Sequence, residues 1–121
     1  MTWIEVALSL PATVYGFSEW NCGDTHKPVP CDTSATTASG DPFDPQALTV
    51  AVPLPRNRIV RPVQLCLEHP KTGRRVWVRV NDKANERWIG QRGFDLTPAV
   101  YEALTGKQAR TWSSIEQLKE C

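Results

Sequence analysis

The chain has 121 residues, enough for one domain with a single core and too few for two. Fourteen basic against thirteen acidic side chains leave it near neutral, which excludes charge-driven capture of nucleic acid or of an anionic membrane face. Ten prolines and seven glycines, spread along the chain, suit a compact domain with many turns and not a disordered tail.

Residues 1–11 read as an N-terminal extension. Met1 to Pro11 carries Glu5, lacks a basic leader and shows no apolar stretch with a small-residue cleavage site, so no secretion signal and no lipid-anchor cysteine are expected there. No apolar run approaches the ~20 residues that span a bilayer. Next, Cys22 and Cys31 flank Gly23 to Pro30, which reads as an insertion. With Cys66 and the terminal Cys121 they form an even set that suits disulfides in an oxidising place. The pairing stays open, with Cys22–Cys31 and Cys66–Cys121 the first choice and free thiols beside it. Zinc held by Cys22, His26 and Cys31 is the sharper alternative, but that spacing matches no common ligand pattern and lacks a fourth ligand, so neither metal nor cofactor is expected.

Three later blocks place acids where strands end. They are Thr37-Ala38-Ser39-Gly40-Asp41-Pro42-Phe43-Asp44 running on to Thr49, Val78-Arg79-Val80-Asn81-Asp82, and Gly93-Phe94-Asp95-Leu96. Each joins an apolar, strand-like run to Asp, Asn or Gly, which favour turns and tolerate unusual backbone angles. Such positions are where rigid scaffolds display reactive groups.

Val63 to Glu68 and Arg75 to Val80 are β-rich runs joined by His69-Pro70-Lys71-Thr72-Gly73, a hairpin with a longer loop. In the second run Val76, Val78 and Val80 share one face, and Trp77 and Arg79 the other, where Arg79 either lines a groove or meets water. A helix begins at Thr97, whose hydroxyl caps a free N–H, with Pro98 in its first turn, and it stops at Gly106. A second short helix is predicted from Ser113, with Glu116 completing a capping box, toward Lys119.

The order and wording of Ala12-Thr13-Val14-Tyr15-Gly16, the Thr37 to Thr49 block, the Arg75 to Asp82 strand and Phe94-Asp95-Leu96-Thr97 resemble the rare lipoprotein A family of bacterial peptidoglycan lytic transglycosylases. More distantly they resemble expansins and barwin-like proteins. The likeness runs from about Ala12 to Leu104. It implies a mainly β fold, a six-stranded double-psi β-barrel over residues 12–106 with one or two short helices, followed by a tail over 107–121. It implies peptidoglycan glycan strands as the partner. Members of the family are exported and lipid-anchored, so a chain without a signal points to a phage virion protein, delivered with the particle among other virion proteins or released at lysis to the periplasm and cell wall.

Cleaving a glycosidic bond needs an acid that protonates the departing oxygen and a group that stabilises an oxocarbenium-like centre. A lytic transglycosylase uses the sugar's own hydroxyl as nucleophile, so one carboxyl can act first as acid and then as base. Such an acid must stay protonated near neutral pH, through partial burial or a second carboxylate. By position in the matched motifs, Asp82 falls on the family's catalytic aspartate, Asp41 where an acid, normally Glu, follows Thr-Ala-Ser-Gly, and Asp95 on the aspartate before the last barrel leucine. For Asp95 the favoured reading is a buried carboxylate that accepts backbone N–H bonds or caps the turn before the helix. Asp44, before Pro45, reads as a turn residue.

One departure bears on activity. Where the family pattern continues Ala-Leu-Thr-Ala-Ala-His, this chain reads Ala47-Leu48-Thr49-Val50-Ala51-Val52. An imidazole there would hydrogen-bond the acid and tune it, and Val52 can do neither. Five tryptophans supply flat faces for sugars; Trp20 and Trp88, with Tyr15 and Arg79, are the candidate glycan-positioning residues, and the tryptophans equally suit the barrel's edge. Trp3 and Trp77 are assigned to packing or to a partner surface. Two readings follow: a lytic transglycosylase with Asp82 as acid/base and Asp41 as its electrostatic partner, or a non-catalytic barrel serving as a wall-binding module or a structural phage tail-tip component.

Overall fold

The computed structural model describes residues 2–15, 36–44, 46–109, 114–115 and 117–121. The cysteine-flanked insertion with His26, and also Trp20, Trp112, Ser113 and Glu116, lie outside the described residues.

Helix α1 (Trp3–Leu8) opens the chain, a helix that reading residues 1–11 as a plain extension did not anticipate. Thr2 caps it by accepting from the Glu5 N–H at 3.1 Å, the first half of a Thr-x-x-Glu capping pattern. Its Ala7 enters the main core, and Trp3, Ile4 and Leu8 pack against that core. Gly93 lets the helix approach, because a Cβ there would stand 2.1 Å from the Ala7 carbonyl oxygen.

The fold is mainly β. Strands β1 (Ala12–Val14), β2 (Thr49–Pro53), β3 (Val63–Glu68), β4 (Arg75–Ala84), β5 (Asp95–Leu96), β6 (Ser114–Ile115) and β7 (Lys119–Glu120) form one sheet in the order β6-β1-β5-β2-β4-β3-β7. The first six curl into a half-barrel, and β7 extends its edge. Two neighbouring pairs are parallel, β1/β5 and β2/β4, while β2 and β5 between them run antiparallel. The β3/β4 hairpin has the expected partners, Cys66 opposite Trp77 and Gln64 opposite Arg79.

The concave side holds the core: Val50 and Val52 of β2, Leu65 and Leu67 of β3, Val76, Val78 and Val80 of β4, Phe94 and Leu96 around β5. Helix α2 (Pro98–Thr105) closes it with Val100 and Leu104. Thr97 caps this helix at the Val100 N–H, Pro98 occupies its first turn, and Gly106 ends it at φ 74°, a left-handed conformation cheap only for glycine.

The tail departs from expectation. Where a helix from Ser113 toward Lys119 was predicted, Ser114–Ile115 pair with β1 and Lys119–Glu120 with β3. The open edges of β1 and β3 offer unpaired N–H and C=O groups, and burial of Ile115 and Leu118 in the core outweighs a local capping pattern. A Cys66–Cys121 disulfide fastens the last strand. Buried Glu68 clamps it too, accepting from Arg75 at 2.6 Å and Lys119 at 3.0 Å.

Candidate active site

Strand β4 alternates as predicted as far as Val80, with Val76, Val78 and Val80 inward and Trp77 and Arg79 outward. Unbroken alternation would turn Asp82 into the core. Instead the register with β2 shifts: Val50 faces Val80, but Ala51 faces Asp82, so Asn81 is an extra residue in a β-bulge. Asp82 thereby joins the outer face. Ala51 also pairs with Asp95, and Asp95 with Thr13, giving a row Asp82–Ala51–Asp95–Thr13 across four adjacent strands. At the usual strand spacing the two aspartate backbones are roughly 10 Å apart.

The 36–42 turn lies over this bulge. It closes through Thr37 N–H to the Asp41 carbonyl at 2.8 Å and Gly40 N–H to the Thr37 carbonyl at 2.9 Å, with Gly40 at φ 95°. The Ser39 N–H donates to the Asn81 carbonyl at 3.0 Å. Asp82 Oδ1 accepts from the Ala38 and Lys83 N–H groups, each at 2.9 Å. Asp41 Oδ2 accepts from Arg79 Nε at 2.9 Å and Asn81 Nδ2 at 3.0 Å. Asn81 is 2% exposed, and its Oδ1 has no hydrogen-bond partner.

These surroundings set opposite proton affinities. The Arg79 guanidinium and then the Asn81 amide hold the Asp41 carboxyl below its ordinary value, so it stays ionised. Burial pushes Asp82 up, against the pull of its two backbone donors. Burial also raises Asp95, with the charge of Asp82 adding to it and the Thr13 hydroxyl, bonded at 2.8 Å, opposing it. The Tyr15 hydroxyl is buried without a hydrogen-bond partner; burial and then the charges of Asp82 and Asp95 drive its pKa up. Its ring packs on Phe43 at 5.1 Å. Tyr15, Asp82 and Asp95 thus form one coupled group, whereas Asp41 is bound to Arg79 and reaches Asp82 only through the turn and the bulge.

The remaining candidates separate. Arg79 lies on the outer face beside the acids, half-exposed, as a groove residue would. Trp88 ends a short 3-10 turn, Glu86–Trp88, where the guanidiniums of Arg87 and Arg92 stack on its ring at 4.7 and 3.6 Å from the centroid. The charge of Arg92 in turn opposes the rise at Asp95, so Trp88 borders the row from the Asp95 side with its ring already engaged. Val52, one residue past Ala51, is 3% exposed and packs in the core. It faces away from Asp82, so a histidine at this position would not stand beside the acid.

Sequence reasoning missed Asn81, which binds Asp41 and supplies the bulge. Its signal was two polar residues in succession, Asn81-Asp82, ending a strict alternation. No helix among the described residues is long and apolar enough to cross a membrane, and no group of three or more metal-ligating side chains gathers among them. No protein-family model matches the chain, and no curated protein matches it.

Proposed function

We propose that the chain is a double-psi β-barrel that cleaves peptidoglycan glycan strands as a lytic transglycosylase, with Asp82 as acid and then base. The two parallel pairs on either side of an antiparallel β2/β5 pair support that barrel. The activity rests on one observation: the bulge turns a carboxyl with raised proton affinity onto the outer face. Protonated Asp82 donates to the departing glycosidic oxygen as the C1–O bond breaks. The carboxylate left behind takes the proton of the sugar's own hydroxyl as that oxygen closes on C1. Burial of Asp82 itself disfavours early loss of its proton. Asp41 fixes Arg79, which keeps further N–H donors for sugar hydroxyls.

The test incubates wild type and Asp82→Asn with intact and with peptide-stripped peptidoglycan and analyses soluble products by mass spectrometry. Anhydro-sugar ends from the wild type alone are expected. One observation favours a second reading, a barrel that grips glycan without cutting it: no imidazole stands beside Asp82 among the described residues, His69 being tied to Thr72 and the Leu104 carbonyl. Pelleting on peptidoglycan without products would select that reading. Neither products nor pelleting would reject both and leave a structural part of a larger particle.

A further inference from the structure

Trp77 is the most exposed aromatic side chain among the described residues whose exposure stands out, at 66%, and its place on the outer face of β4 puts it in line with the acids. Along the strand it is flanked by Arg75 and Arg79. Across on β3 stand Gln64, opposite Arg79, and Glu68, opposite Arg75, with the Cys66–Cys121 bridge directly opposite Trp77. One flat apolar ring among side chains rich in hydrogen-bond donors and acceptors is poor ground for a protein interface, whose buried centre is depleted in charge. It suits a pyranose ring, which offers an apolar face of C–H groups and a rim of hydroxyls.

The spacing completes the argument. Trp77 precedes Asp82 by five residues of extended chain, roughly 16 Å. Arg79, clamped by Asp41, lies between them with N–H groups left over for hydroxyls. The outer face of β4 therefore reads as a track: aromatic platform, guanidinium, acid.

We infer that Trp77 is a sugar-stacking platform at the far end of a glycan track on β4, binding a ring of the glycan strand several sugars away from the bond at Asp82. This rests on the glycan reading of the Asp82 site. It replaces the expectation that Trp77 serves packing or a protein partner.

The platform predicts a dependence on chain length that a purely structural tryptophan would not produce. Peptide-free glycan octasaccharide and disaccharide are titrated, by calorimetry, into Asp82→Asn protein bearing Trp77, Trp77→Ala or Trp77→Phe. The exposed position makes the alanine variant compatible with the fold, and the folded state of each variant is verified by circular dichroism. Expected are a roughly tenfold loss of octasaccharide affinity in Trp77→Ala, substantial recovery in Trp77→Phe, and unchanged disaccharide affinity. Unchanged octasaccharide affinity in Trp77→Ala, or equal weakening for both lengths, overturns the platform while leaving the glycan reading in place. No binding of either sugar by any of the three proteins overturns both.

Discussion

Asp82 and Asp95 stand on either side of Ala51 in one cross-strand row, and burial raises the proton affinity of both. A carboxyl raised on folding binds more protons in the folded than in the unfolded chain. Its cost to stability is absent below the unfolded value and grows as pH rises to the folded one. Asp95→Asn removes that cost and keeps an oxygen for the Thr13 hydroxyl. The variant should match wild type in acid and exceed it toward neutral pH, by about 1.4 kcal/mol for each unit by which Asp95 is raised. Thermal unfolding across pH checks this, and parallel curves would refute it.

Val52→His restores the residue found at this place in the resembling family, but in this fold it puts an imidazole among core side chains. It should destabilise by about 1–3 kcal/mol and leave cleavage no faster. Denaturant unfolding and the product assay read both effects. A gain in rate would show that the strand turns this side chain toward Asp82.

Gly93→Ala introduces a methyl against the Ala7 and Leu10 carbonyl oxygens, at 2.1 and 2.9 Å. Backbone cannot yield as a flexible side chain does. A loss of about 3 kcal/mol is expected, with faster hydrogen exchange concentrated in α1. A near-neutral result would mean that α1 lifts off the sheet at little cost.

Cys121→Ser opens a loop of sequence separation 55. Chain entropy alone assigns such a closure about 4 kcal/mol, and the loss should appear equally on reducing the wild type. Chemical denaturation with and without reductant measures it. Glu68, with Arg75 and Lys119, remains to hold the strand, so the folded domain should persist at low temperature.

Helix α2 and the β3/β4 hairpin were legible because their signals are local: Thr97-Pro98 and Gly106 mark one, and strict alternation about a glycine-containing turn marks the other. Helix α1 carried a comparable signal in Thr2 and Glu5, within residues read for what they lack rather than for caps. The tail misled because Ser113 and Glu116 form a local pattern, whereas β6 exists only through a partner about 100 residues distant and β7 through one about 50 residues distant. At the site, the identities of Asp41, Asp82 and Asp95 were readable, but their grouping was not. Asp95 couples to Asp82 through a β2 residue, Ala51, that carries no chemistry and so gave no sign. Asp41 was drawn off by Arg79 and Asn81, contacts that depend on how the 36–42 turn folds back over β4.

The bulge lets β4 carry one residue more than β2 while Asp82 keeps its outward aim. Deleting Asn81 would restore plain alternation with Asp82 still outward opposite Ala51, and the loss would fall on the Asn81 amide that binds Asp41 and the Asn81 carbonyl that accepts from the Ser39 N–H. Position 81 is therefore spare to the strand ladder but not to the turn above it. Replacing its side chain, as much as removing the residue, would release Asp41 from one of its holders.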